Sequence, residues 1–122
     1  MFLIGENLNV MSKKLGQAFL ERDAGPIQGM ARAQTEDGMD MIDLNIGPAR
    51  KTGPDFMEWL VTVVQDVTDL PLSLDTSNIE AIETGLKAAK TRPLLYRERP
   101  VAGLNVHWSG LIDKGVAVFR KA

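Results

Sequence analysis

At 122 residues, 44% hydrophobic and 25% charged, the chain has the makeup of one globular domain and too little length for two ordinary ones. A formal net charge of −2 lacks the basic surplus of nucleic-acid binders, and no apolar run approaches the roughly 20 residues of a membrane span. Cysteine is absent, which excludes disulfides, thiolate metal sites and iron–sulfur clusters held by these residues; Met1 to Glu6 has no basic flank for a secretory signal, so a cytoplasmic location is expected.

Phe2 to Gly5 reads as a short buried strand, followed by the polar Glu6, Asn7 and Asn9. Met11, Leu15, Ala18 and Phe19 then fall on one helical face, with Lys13 and Lys14 outside it. Asp23 and Pro26 suit the start of a second helix, because Pro is tolerated where its missing N–H has no partner. Gly38 stops that helix after Asp37. From Met41 to Asn45 polar and apolar residues alternate, which predicts a strand with Asp43 and Asn45 on one face and Ile42 and Leu44 on the other. Gly47-Pro48 turns the chain out of it. Pro54 opens a helix in which Phe56, Trp59, Leu60, Val63, Val64 and Val67 recur at helical spacing. Leu70 to Leu74 is a third strand and ends on Asp75, and Ser77-Asn78-Ile79-Glu80 has the form of a capping box. Ile79, Ile82, Leu86 and Ala89 make the buried stripe of the helix behind it, and Pro93 to Leu95 is a fourth strand.

Strands alternating with helices imply right-handed crossovers and a parallel sheet, an α/β fold. The alternation holds over residues 1–95 and is lost over 96–122, where Pro100, Gly103, Gly110 and Gly115 interrupt any period. Three successive strands deliver Glu6 and Asn9, then Asp43 and Asn45, then Asp75 at their C-terminal ends. That is where parallel α/β barrels keep their active sites. The plainer roles are also open: Asp75 as a helix cap, Asp43 and Asn45 bonded to each other or to water, Glu6 and Asn9 as turn residues.

Gly5-Glu6-Asn7-Leu8-Asn9, Asp43-Leu44-Asn45-Ile46-Gly47-Pro48 and Leu74-Asp75-Thr76-Ser77-Asn78 together resemble the pterin-binding methyltransferases. The nearest likeness is to methyltetrahydrofolate:corrinoid/iron-sulfur protein methyltransferase, with the folate domain of cobalamin-dependent methionine synthase as a cousin. Dihydropteroate synthase shares the barrel, but its usual runs after strands one and two are replaced here by Val10-Met11-Ser12-Lys13 and Ile46-Gly47-Pro48-Ala49. The resemblance runs to about Pro93 and includes Glu21-Arg22-Asp23 and Met57-Glu58-Trp59-Leu60. It implies the first three to four βα units of a (β/α)₈ barrel, a fold that needs at least ~200 residues when complete. It also implies that methyltetrahydrofolate is the methyl donor and that the acceptor cobalt sits in a corrinoid (cobalamin) carried by a partner protein, not by this chain. Asp75, Asn45, Asp43, Asn9 and Glu6 are then the pterin-binding residues, with no metal and no assigned catalytic group. The family's Asn-Ser after strand four is replaced by Tyr96 and Arg97. A non-catalytic half-barrel kept for assembly is therefore the competing expectation, with a dihydropteroate synthase-like enzyme behind it. A half-barrel exposes a strand edge, so association, a homodimer for instance, is expected.

Two further features complete the reading. Asn105-Val106-His107-Trp108-Ser109-Gly110 resembles the Asp-x-His-x-x-Gly signature of corrinoid-binding domains, with Asn in place of Asp; a tail histidine that ligates nothing is the plainer role. Lys87, Lys90, Arg92, Arg97 and Arg99 make a mildly basic cluster suited to an acidic partner or a polyglutamate tail, or simply to solvent.

Overall fold

The computed structural model describes residues 3–48, 50–91 and 93–96. The expectations for Arg92, Arg97, Arg99, His107 and the rest of the 97–122 tail lie outside them. Strand β1 (Ile4–Asn9) leads into helices α1 (Gly16–Glu21) and α2 (Ala24–Glu36). Strand β2 (Met41–Gly47), helix α3 (Gly53–Gln65), strand β3 (Leu72–Thr76), helix α4 (Ile79–Ala88) and strand β4 (Leu94–Tyr96) follow. The strands lie side by side in the order β1-β2-β3-β4, and each neighbouring pair is parallel. With consecutive strands adjacent, right-handed crossovers put the helices on one side of the sheet. This is the arrangement of a partial β/α barrel. No helix among the described residues is long and apolar enough to cross a membrane.

The core is the layer between sheet and helices. Ile42, Leu44, Leu72 and Leu74 reach into it from β2 and β3, and Ile27, Met57, Leu60, Val61, Val64, Ala81 and Ile82 meet them from the helices. Period 2 assigns the strand residues to this side, which leaves Asp43, Asn45, Ser73 and Asp75 on the other. The β1 pairing runs past Gly5 to Asn9 because two consecutive polar residues, Glu6 and Asn7, occupy a bulge, where the partner register slips between Gly5 and Leu8. The extra residue returns Leu8 to the core, where it is fully buried.

Several local expectations shift. Asn9 Oδ1 accepts the Met11 amide at 2.8 Å and Asn9 O accepts that of Ser12 at 2.8 Å. That turn delays α1 to Gly16 and leaves Met11 77% exposed, off the helical face assigned to it. Asp23 caps α2 as expected, accepting from Gly25 N. Gly38, with φ of +82°, ends that turn of chain in the left-handed region. In α3 the buried face is Gly53, Met57, Leu60, Val61, Val63 and Val64; it takes in Leu60, Val63 and Val64 of the expected stripe, while Phe56, Trp59 and Val67 are only partly buried. Those aromatics sit at its margin. Phe56 meets Phe19 edge-on at 5.8 Å and stacks on Trp59 at 5.7 Å, with the Arg22 guanidinium 5.7 Å above its ring. They staple α1 to the start of α3. In α4, Ala81, Ile82 and Gly85 are buried while Ile79 is half exposed. The small residues prevail because α3 packs close against α4.

Gly85 shows how close. A Cβ there would stand 2.8 Å from both Leu74 Cδ1 and Met57 Cγ, side chains that are themselves fully buried. Gly29, exposed in α2, would meet nothing within 4 Å. Gly85→Ala is therefore expected to lower stability by about 1–3 kcal/mol through overpacking, which outweighs the helix-propensity gain of ~1 kcal/mol. Gly29→Ala keeps only the gain and should raise stability by about 0.5–1 kcal/mol. Urea denaturation of both variants checks the pair, and equal signs would refute the packing described.

Candidate functional site

The strand registers arrange the polar face in rows. Asn9 lies opposite Asn45, Asn45 opposite Asp75, and Asp75 opposite Tyr96. One row thus crosses the sheet at the C-terminal end of all four strands. A row nearer the strand N-termini pairs Asp43 with Ser73, and Glu6 in the β1 bulge lies close enough to Asp43 to act on its charge.

Within the first row the Asn45 and Asp75 side chains are tied together. Asn45 Nδ2 donates to Asp75 Oδ2 at 2.9 Å, and Asn45 Oδ1 accepts the Gly47 amide at 2.9 Å. Both ends of the Asn45 amide are fixed, so it holds the carboxylate in one orientation. Gly47 takes a φ of +75° after that contact, a conformation that favours glycine, and its carbonyl accepts from Thr76 Oγ1 at 2.9 Å. Thr76 Oγ1 in turn accepts the Asn78 amide at 3.1 Å. Asn78 donates to Arg50 O at 2.9 Å and caps α4 by accepting from Ala81 N at 3.2 Å. Asn78 is therefore the α4 N-cap, one residue after the Ser77 that opens the capping-box pattern. Asn9 belongs to the row by register, while its side chain serves the turn at Met11.

Asp43 is the electrostatic anomaly. Burial pushes its carboxyl from the ordinary 3.8 up to about 7; a hydrogen bond from Ser73 opposes the rise, and the neighbouring Asp75 and Glu6 charges add to it. Two carboxylates one row apart repel, which adds to the effect of burial on Asp43. The arrangement is an acid of raised pKa beside an amide-clamped carboxyl group. Beside β1, a cavity of about 470 Å³ is bounded by Glu6, Asn7, Asn9, Met11, Lys14 and Met30 of α2. Among the described residues no group of three or more His, Asp or Glu could hold a metal ion.

Sequence reasoning brought Glu6, Asn9, Asp43, Asn45 and Asp75 to one end of the sheet but passed over the roles of Ser73, which bonds Asp43, and of Thr76 and Asn78 in the adjoining loops. Ser73, 2% exposed, was legible as the residue two before Asp75 on the same face. Thr76, 3% exposed, and Asn78 carry no spacing signal, since their roles depend on Gly47 O and Arg50 O in another loop. Gln34, buried behind Gly5 with neither amide atom bonded, is on the helix side and takes no part in the rows.

No family model matches the chain. Over 83 residues it is 31% identical to the methylcorrinoid:tetrahydrofolate methyltransferase of Eubacterium limosum, a match covering 68% of this chain and 31% of that relative. The chain thus spans under a third of the relative's length. The similarity supports kinship with a methyltransferase family and does not single out the corrinoid/iron-sulfur protein enzyme.

The raised Asp43 value has a testable consequence. Between about pH 4 and pH 7 the unfolded chain ionises this carboxyl while the folded one keeps its proton, so stability falls as pH rises through that window. Asp43→Asn removes the titration. Urea denaturation at pH 4, 5.5 and 7.5 should show the variant gaining on the wild type as pH rises, by up to about 4 kcal/mol. A difference independent of pH would place Asp43 in an ordinary solvated setting.

Proposed function

We propose that this chain is the pterin-binding part of a methyltransferase that moves a methyl group between N5 of tetrahydrofolate and a corrinoid protein, working within a (β/α)₈ barrel. The observation that carries the reading is the register row of Asn9, Asn45 and Asp75 at adjacent strand ends. A pterin presents amine and amide N–H donors along one edge, and a carboxylate accepts two of them at once in charge-assisted bonds. Asp75 is the acceptor. Asn45 fixes its orientation through the 2.9 Å bond, so little freedom is lost when the ring arrives.

Burial raises the Asp43 carboxyl to about 7, which weakens the second negative charge beneath Asp75 near neutrality. Asn9 and Glu6 bound the β1 side, with the cavity beside them. The corrinoid, held by the partner protein, supplies the metal centre that gives or takes the methyl. This chain's residues hold and orient the pterin. The E. limosum relative, whose name has methylcorrinoid and tetrahydrofolate as its pair, supports this reading.

Asp75→Asn places a donor against the pterin donors and removes the charge. Calorimetry with methyltetrahydrofolate on the full chain is expected to show binding weakened by about 1.5–3 kcal/mol, roughly ten- to a hundredfold, with the far-UV spectrum unchanged. Equal affinities would take Asp75 out of the site. No heat for either protein would favour a half-barrel kept for assembly alone.

A further inference from the structure

Strand β1 is paired on one side. Its register partners all lie in β2, and among the described residues no strand adjoins its other edge. Leu3 O accepts the Met41 amide at 3.2 Å and Leu3 N donates to Asp40 Oδ2 at 2.8 Å, so the Leu3 backbone faces β2. Period 2 then turns the N–H and C=O of Ile4 toward the open side. Glu6 and Asn7 in the bulge are exposed, and Leu3 is an exposed apolar residue on the same strand.

The cavity of about 470 Å³ follows this edge. Glu6, Asn7 and Asn9 line it from the strand, Met11 and Lys14 from the loop that follows, and Met30 from α2. None of the described residues lining it comes from β2 or β3. It therefore opens away from the rest of the sheet, where the next strand-and-helix unit of a closed barrel would stand.

At the opposite margin β4 pairs with β3 alone among the described residues. The two margins are complementary. All four strands run in one direction, with the helices on one side. The β4 edge of one copy can continue onto β1 of another in the same parallel sense, with both helix layers on the same side. Two-fold pairing of β1 with β1, or of β4 with β4, would be antiparallel and would leave the other two margins open. Pairing β4 with β1 twice leaves no margin open and gives eight strands, the number of a parallel α/β barrel.

We propose that two copies of this chain close one eight-stranded barrel, β4 of each pairing in parallel with β1 of the other about a two-fold axis along the barrel. The cavity beside β1 receives the β4 and α4 of the second copy. The strand ends of both copies meet at one mouth. The row of Asn9, Asn45, Asp75 and Tyr96 runs on into the row of the second copy, so one copy alone holds half of the site. The inference rests on strand order and edge geometry and stands apart from the pterin reading.

Sedimentation of the full chain should give twice the mass of one chain. The absence of cysteine makes introduced thiols unambiguous, and Asn7→Cys with Tyr96→Cys in one chain puts a thiol at each margin. Within one copy these margins are three strand spacings of about 4.8 Å apart, whereas across the closing pair they are neighbours. A thiol reagent that reaches no further than about 8 Å should convert the double variant into a covalent dimer and nothing larger. Each single variant should stay uncross-linked, because the two β1 strands, and likewise the two β4 strands, stand on opposite sides of the barrel. Circular dichroism checks the fold of the variants, and the sedimentation result needs none of them. A monomer in sedimentation would give the β1 cavity to some other segment and overturn the proposal. Cross-linking of either single variant would show like edges paired, and higher multimers of the double variant would show a stack that does not close. Either result overturns it, as does a dimer whose folded double variant does not cross-link.

Discussion

The pairing of β2 with β3 is the constraint on which the site depends. It sets Asn45 against Asp75 and Asp43 against Ser73, and in a sheet with period 2 a slip of one residue would turn every one of these side chains toward the helices. The register is held from both faces. On the core side Ile42, Leu44, Leu72 and Leu74 are at most 1% exposed. On the other, the Asn45–Asp75 bond and the Thr76–Gly47 bond join the strand ends directly. A displacement that broke the polar row would also bury carboxylates in the apolar layer, at a cost of several kcal/mol each. Fold and site are therefore fixed by the same contacts.

Much of this was legible in the sequence, for a definite reason. Alternation in Met41 to Asn45 separates the faces without any knowledge of neighbours, and helix punctuation at Asp23, Gly38 and Pro54 is local chemistry. The features that escaped are those decided between elements. The Glu6–Asn7 bulge exists so that both Gly5 and Leu8 can pair with β2. The α3 face is chosen by Gly85 and Ala81 across the helix interface, which favours Met57 over the larger Phe56 and Trp59. The capping box at Ser77 gave way to Asn78 because its amide also reaches Arg50 O. A one-dimensional pattern carries none of these.

The Asp43 carboxyl shows how such a cluster tolerates its own charge. Glu6 and Asp75 both act on Asp43, and the burial that raises its carboxyl to about 7 also reduces its negative charge near neutrality. Ser73 moderates the shift by donating to it. Replacing the acid with an apolar residue would remove the repulsion but also leave the buried Ser73 hydroxyl to find another partner. A carboxyl group whose ionisation is held back by its surroundings meets both demands.

A polar sheet face has two possible causes, contact with solvent or contact with a ligand, and the distribution of polarity along the strands separates them. A face polar only for solvation would be polar from end to end. Here it is graded. Met41 and Ile4, paired at the N-terminal end of β1 and β2, are apolar, and Met41 is 2% exposed. Asp43 and Ser73 come next, and the Asn9, Asn45 and Asp75 row is last. Hydrogen-bonding capacity concentrates where the strands end, while the far end of the same face is apolar. Solvation does not distinguish one end of a strand from the other. A ligand that enters from one side would.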